Sequence, residues 1–236
     1  MESTWLWIGT FGMTLGAVAF LVMGLRDSAG SPDKEKFYVV TLFIPIIAAA
    51  SYLAMANGQG VVEVDGRTVY WARYADWLIT TPLLLLDLAL LARMRLSLIA
   101  GLILADVFMI VTGVIASLSS GNLRFLWWTV STGAFVAILA ILLPQMSVVG
   151  KERPAEVAGL FRTLTLLTIV LWTAYPIVWL LGTEGFGIIG LNVEVLVFMV
   201  LDLSAKVGFG FILLGSRGAL ERSGSVTREA VVTAGA

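Results

Sequence analysis

The chain has 236 residues, 59% of them hydrophobic and 13% charged, against roughly 25% charged in soluble domains. Fifteen Lys and Arg face sixteen Asp and Glu, which leaves no basic excess to attract nucleic acid. With a mean hydropathy of +0.96, these values exclude a soluble enzyme, a nucleic-acid binder and a disordered chain. The lack of Cys and His further excludes disulfides, thiolate metal sites and imidazole chemistry, so any proton traffic must use Asp, Glu, Lys, Arg, Tyr or water.

A membrane-crossing helix needs about 20 apolar residues. Residues 3–25, 37–62, 125–150 and 163–183 meet that without a charge. Residues 69–92, 96–118 and 192–216 meet it with charges inside. The expectation is an all-α membrane protein, a seven-helix transmembrane bundle over 1–218 followed by a flexible tail, 219–236. The first span lacks a basic leading region and is read as a retained helix. After the second span, VVEVDGRTVY places two short β-like runs around Asp65-Gly66, a favourable hairpin turn. Pro45, Pro82 and Pro176 fall inside spans two, three and six, where each allows a kink. Arg26, Lys34, Lys36, Arg93, Arg95, Lys151, Arg153, Arg162, Arg217, Arg222 and Arg228 lie on one side of the bundle. Only Arg67, Arg73 and Arg124 lie toward the other. The positive-inside rule then makes the N-terminus extracellular, the tail cytoplasmic and the hairpin extracellular.

Charges inside a membrane are costly and mark a pathway more often than not. On the third span Asp76 and Asp87 are 11 residues apart, which returns to within about 20° of one helical face. Arg73 and Thr80 share that face. Arg73 lies close enough in sequence to favour an ionised Asp76. Asp87, set among Leu83 to Leu86 and Leu88, has no neighbouring cation and is expected to rest protonated. On the seventh span Asp202 and Lys206 form an i, i+4 pair. A lysine at mid-span is too deep to snorkel and suits a Schiff base with a carbonyl compound. Trp172, Tyr175 and Trp179 make one aromatic face of the sixth span, while Trp77 and Trp128 add flat surfaces. Met109 and Gly113 on the fourth span are placed to line the far end of a flat, rigid, apolar ligand.

The runs RYADWLITTPLLLLD (73–87), LDLSAKVGFG (201–210), LWTAYPIVWL (171–180), RFLWWTVST (124–132) and KFYVVTLFIP (36–45) occur in this order. Together they resemble the microbial rhodopsins, and most closely the haloarchaeal bacteriorhodopsin, archaerhodopsin and cruxrhodopsin group. The resemblance spans nearly the whole chain. It implies a light-driven outward proton pump with all-trans retinal on Lys206 as a protonated Schiff base. Asp76 would be the proton acceptor, hydrogen-bonded by Thr80, with Asp202 the second counterion. Asp87 would be the cytoplasmic donor, partnered by Thr41. Arg73, Glu184 and Glu194 would form the extracellular release group, supported by Tyr52, Tyr70 and Thr183. Asp33 would assist uptake. Thr81 and Asp106 would link spans three and four behind the chromophore. Trp77, Thr81, Leu84, Met109, Gly113, Trp128, Ser131, Thr132, Trp172, Tyr175, Pro176 and Trp179 would line the pocket. Membrane lipids and a homo-oligomer, with a trimer as one form, are the implied partners, with no obligate transducer. Thr183 stands where the group usually has Ser, and Gly190 where its best-known member has Pro.

Three other functions compete. A photosensor signalling through a partner would ordinarily lack a carboxylate at position 87. A chloride pump would want a neutral residue at 76. A cation channel would need a wetter path than Leu83 to Leu86 offers.

Overall fold

The computed structural model describes residues 2–27 and 32–223, without the side chains of residues 32 and 33. Its elements are α1 (Glu2–Asp27), α2 (Pro32–Ala56), β1 (Val62–Val64), β2 (Arg67–Val69), α3 (Trp71–Ala92), α4 (Leu96–Leu118), α5 (Leu123–Glu152) and α6 (Ala155–Leu181). They are followed by α7 (Leu191–Leu203), a π turn (Ser204–Gly208), α8 (Phe209–Gly215) and α9 (Arg217–Arg222). Among the described residues seven helices are long and apolar enough to cross a membrane; the seventh is the rod Leu191–Gly215 built from α7, the π turn and α8.

The sequence-predicted spans and the helices differ mainly where charges bounded the former. The second span was expected over 37–62, but α2 takes in the charged stretch 34–36 and ends at Ala56. The sixth was expected over 163–183, whereas α6 begins at Ala155 and carries Glu156 and Arg162 in its first turns. A charge-free run measures the hydrocarbon thickness, while helical hydrogen bonding continues beyond it. Pro154 fixes the entry to α6, so the link from α5 is only residues 153–154.

Consecutive helices pack side by side, and α7 closes the ring against α1. The packing of α1 against both α2 and the seventh rod depends on glycine. A Cβ on Gly9 would fall 2.4 Å from Tyr52 Cδ1, and one on Gly12 would fall 2.7 Å from Leu203 Cδ2. The Gly16 position is equally close to Val207. The Tyr52 ring is buried at 2% exposure and has nowhere to retreat. Gly9→Ala is therefore expected to cost about 1–3 kcal/mol through overpacking, read as a lowered thermal unfolding midpoint. An unchanged midpoint would show that α1 can move aside.

At one end of the bundle β1 and β2 pair antiparallel, Val62 opposite Val69. Asp65 and Gly66 both have positive φ, 50° and 72°, as a tight two-residue hairpin turn requires. At the opposite end α9 lies across the helix termini. Arg217 pairs with Asp27 at 2.7 Å, Glu221 with Lys34 at 2.6 Å, and Arg222 with Glu156 at 3.0 Å. The Lys34 ammonium holds the Glu221 carboxyl below its usual range by hydrogen bonding and charge. Arg153 donates to the carbonyl of Ser223. The expected boundary at 218/219 thus falls inside α9, whose Ala219 and Leu220 are buried, because those two residues complete an apolar cluster under the strap. Residues 224–236 of the expected tail lie outside the described residues.

Candidate functional site

Lys206 sits in the π turn with 1% exposure, and its ammonium is held between two carboxylates. Nζ donates to Asp76 Oδ2 at 2.6 Å and to Asp202 Oδ1 at 3.0 Å. Both carboxylates are buried, so the cluster is an ion triad from α3 and the seventh rod inside apolar packing. The two acids are not equivalent. Asp202 also accepts from Tyr52 at 2.7 Å, Tyr175 at 2.9 Å and Trp77 Nε1 at 3.1 Å. Asp76 Oδ1 has no hydrogen-bond partner among the protein groups. Thr80 Oγ1 donates to the residue-76 backbone carbonyl at 2.9 Å, the usual back-bond of a helical threonine, and also lies beside the Asp76 carboxyl as its hydroxyl neighbour.

From Lys206 an apolar cavity runs between α3, α4, α5 and α6. Trp77, Thr81 and Leu84 line it from α3, and Met109 and Gly113 from α4. Trp128, Ser131 and Thr132 come from α5, and Trp172, Tyr175, Pro176 and Trp179 from α6. The walls are fixed by their own contacts. Trp77 meets Tyr175 edge-on with centroids 5.1 Å apart, and Trp128 stacks on Trp179 at 6.5 Å. Trp128 Nε1 donates to the Pro176 carbonyl at 3.2 Å, tying α5 to α6 across the cavity. Ser131 Oγ donates to the Met109 carbonyl at 2.8 Å. Thr81 Oγ1 lies 2.7 Å from Asp106 Oδ2, joining α3 to α4 behind the cavity. Tyr74, Phe135, Phe198 and Ala205 also line it, although nothing in the sequence pattern singled them out.

Toward the hairpin end lie two more buried acids, Glu184 and Glu194, each at 1% exposure. Glu194 Oε2 accepts from the Thr183 amide at 2.6 Å and its hydroxyl at 2.8 Å. Arg73 Nη1 is 3.7 Å from Glu194 Oε1, and its guanidinium lies over the Phe198 ring at 4.2 Å. The sequence placed Arg73 beside Asp76; the structure turns it to Glu194. Side chains of a helix lean toward its N-terminus, which carries this long one away from Asp76. Tyr52, expected near these acids, belongs to Asp202 instead, because α2 presents its ring at the level of the triad. Tyr70 remains close, with the Arg73 guanidinium 5.6 Å from its ring. Glu184 Oε2 is held by Tyr74 at 2.6 Å and by Ser117. Arg67 of the hairpin donates to the carbonyls of Glu184 (3.1 Å) and Ser119 (2.8 Å), tying three loops together. Burial, and then Arg124 nearby, push the Arg67 guanidinium below its usual range.

Toward the α9 end Asp87 is completely buried, with Thr41 Oγ1 donating to its Oδ2 at 2.9 Å. Leu84, Leu85, Leu88 and Leu91 share its surroundings with Phe20, Phe161, Leu164 and Phe209. Among the described residues its Oδ1 has no hydrogen-bond partner. Asp33 lies in the first turn of α2, its side chain outside the described residues.

Residues 1–220 match the family model described as bacteriorhodopsin-like protein. The chain is 56% identical to bacteriorhodopsin of Haloterrigena sp. (strain arg-4) over 96% of this chain and 92% of that one. It is 50% identical to archaerhodopsin-3 of Halorubrum sodomense over 93% of this chain and 86% of the relative. The crystal structure of thermophilic rhodopsin from Rubrobacter xylanophilus superimposes with a TM-score of 0.91 at 50% identity, covering 95% of this chain and all of that one (100%).

Proposed function

The chain belongs to the bacteriorhodopsin-like protein family of multi-pass membrane proteins, and from that premise we propose that it is a light-driven outward proton pump. It is a light-driven ion transporter rather than an enzyme, as its homologues are. Family membership implies a retinal chromophore. The residues present fit one: the apolar cavity is lined by the indoles of Trp77, Trp128, Trp172 and Trp179 and by the buried primary amine of Lys206. Lys206 would carry retinal as a protonated Schiff base, which supplies light absorption and a change of shape at the reacting nitrogen.

The chain's own residues then direct the proton. Asp76 receives it from Lys206 Nζ, since Oδ2 is already 2.6 Å away. Asp202 already accepts four hydrogen bonds, so a proton arriving there would displace one; it stays as the fixed counter-charge. Arg73, Glu184 and Glu194 release a proton at the hairpin end, which the basic-residue count makes extracellular. Asp87 resupplies Nζ from the α9 side, where it is buried with the Thr41 hydroxyl as its partner. Asp33 assists uptake there. The leucine and phenylalanine packing around Asp87 separates the two routes and prevents a leak.

The observation that carries this reading is the asymmetry around one nitrogen. The Asp76 carboxylate lies against it at 2.6 Å on one side, and a carboxyl buried among leucines and phenylalanines, with the Thr41 hydroxyl as its partner, lies apart on the other. Lipid contacts the outward apolar faces, where Phe11, Leu15, Leu104 and Val170 are 62–70% exposed. A homo-oligomer, with a trimer as one form, and independence from any transducer complete the proposal.

The direct test is illumination of retinal-reconstituted vesicles of known orientation. Acidification on the hairpin side, abolished by a protonophore, is expected; no pH change would refute a pump. Asp87→Asn separates pump from sensor. It is expected to keep colour and the first proton transfer, to slow return of the proton to Lys206 Nζ by about 100-fold or more, and to regain speed with azide, a small mobile proton carrier. Flash photolysis with equal recovery rates in both proteins would remove Asp87 from the donor role and favour a sensor.

A further inference from the structure

Ser117 was not among the residues the sequence pattern singled out, yet it sits at the centre of the densest hydrogen-bond cluster near the hairpin end. It lies near the C-terminus of α4 with 0% exposure. Its single hydroxyl meets four groups. Trp179 Nε1 donates to Ser117 Oγ at 3.0 Å. Ser117 donates to Glu184 Oε2, with Tyr74 OH in contact with both oxygens. The Gly113 carbonyl, one turn back on α4, is a second acceptor at 3.2 Å.

The proton count of these groups restricts their arrangement. An indole N–H is donor only, so Trp179 fixes one lone pair of Ser117. The serine has one hydrogen and three acceptors for it, Glu184, Gly113 and the Tyr74 phenol oxygen. When Glu184 is charged, Ser117 and Tyr74 can both point at Oε2. When that oxygen carries a proton directed at Ser117 or Tyr74, the hydroxyl it points at gives up its own donation there, and Gly113 O offers Ser117 an alternative acceptor. Trp179 is also a wall of the chromophore cavity.

We propose that Ser117 is a positioning residue of the proton-release end, linking the cavity wall at Trp179 to the carboxyl of Glu184 through a hydroxyl that reorients with that carboxyl's proton. The inference rests on the release role given above to Glu184. It predicts that displacement of the Trp179 indole is felt at Glu184, and that the proton state of Glu184 is felt at the indole.

Two measurements on the full-length protein test it, with Ser117→Ala and Ser117→Thr as variants. The first is ultraviolet resonance Raman of the indole N–H, recorded in the dark with and without retinal and assigned by its loss in Trp179→Phe. Ser117→Ala is expected to shift the Trp179 marker toward a weaker hydrogen bond, and Ser117→Thr to restore it. The second is proton appearance after a flash, followed with a pH-sensitive dye. Ser117→Ala is expected to delay release by about tenfold, the worth of one hydrogen bond to a charged group, with colour unchanged and timing recovered in Ser117→Thr. An unchanged indole marker in Ser117→Ala overturns the proposal, as does a shifted marker with unchanged release timing. A wild type that releases no proton while its indole marker still responds to Ser117→Ala instead overturns the pump and leaves the contact standing. Should the Ala variant not fold, a Thr variant with the wild-type marker but a tenfold release delay likewise refutes the link.

Discussion

Lys206→Ala is expected to give a folded but colourless protein. The side chain supplies the only primary amine in the cavity, so retinal has no carbonyl chemistry available there. The substitution also removes the cation from a buried triad, leaving Asp76 and Asp202 facing one another at 1% and 0% exposure. Breaking such a pair by deleting one partner costs about 3–5 kcal/mol, lessened if the acids share a proton. Lowered thermal stability should therefore accompany the loss of the visible band. The readouts are the absorption spectrum after retinal addition, the mass of the denatured chain with and without adduct, and helical content. A retinal adduct on another lysine with the wild-type spectrum would sink the assignment.

Asp76→Asn is expected to stop outward pumping while leaving the pigment assembled. Asparagine keeps the shape and removes both the charge and the proton-accepting oxygen nearest Nζ. Two spectral consequences follow. Positive charge on the nitrogen loses its nearest counter-charge, so absorption should move to the red. That nitrogen should also hold its proton less tightly, so alkaline titration of the colour should occur at lower pH than in wild type. Acidifying the wild type should mimic the red shift. Its midpoint will belong to the coupled set of Asp76, Asp202 and the acids at the hairpin end rather than to one residue. Vesicles carrying Asp76→Asn that still acidify the hairpin side at the wild-type rate would remove Asp76 from the acceptor role.

The polar stripe of α3 and the Asp202–Lys206 pair were legible in the sequence for one physical reason. Ionisable groups inside apolar spans are too costly to be incidental, and their spacing can be converted to a face by the helical period. The cavity walls were legible because aromatic residues at intervals of three and four mark a single face of α6. Directions were harder. Arg73 shares the Asp76 stripe, but where a long side chain ends depends on its tilt and on Glu194 arriving from another helix. Tyr52 needed the α1 glycines to bring α2 and the seventh rod to one level before its partner could be known. Tyr74 and Ser117 carry no signal of their own, since a tyrosine and a serine near a helix end are ordinary. Only the fold brings Glu184 between them.

The π turn at Ser204–Gly208 sets a rule about chain length rather than chemistry. The Phe209 amide reaches back to the Ser204 carbonyl, five residues away instead of four, so the rod holds one residue more than a regular helix of the same rise would. Everything before the turn, including Asp202, and everything after it, including Gly210 packed on Phe20 and Thr41, is set in two different angular phases. Deleting one residue of this turn other than Lys206 would let it close into regular helix, the two halves keeping their relation while the residues inside the turn, Lys206 among them, are redirected by up to about 100°. Lys206 and its two carboxylates would then cease to converge, although no ligand-contacting side chain need be lost. This stretch therefore tolerates exchange of residues far better than any gain or loss of one, and an alignment gap placed within it would misassign the reactive lysine's neighbours.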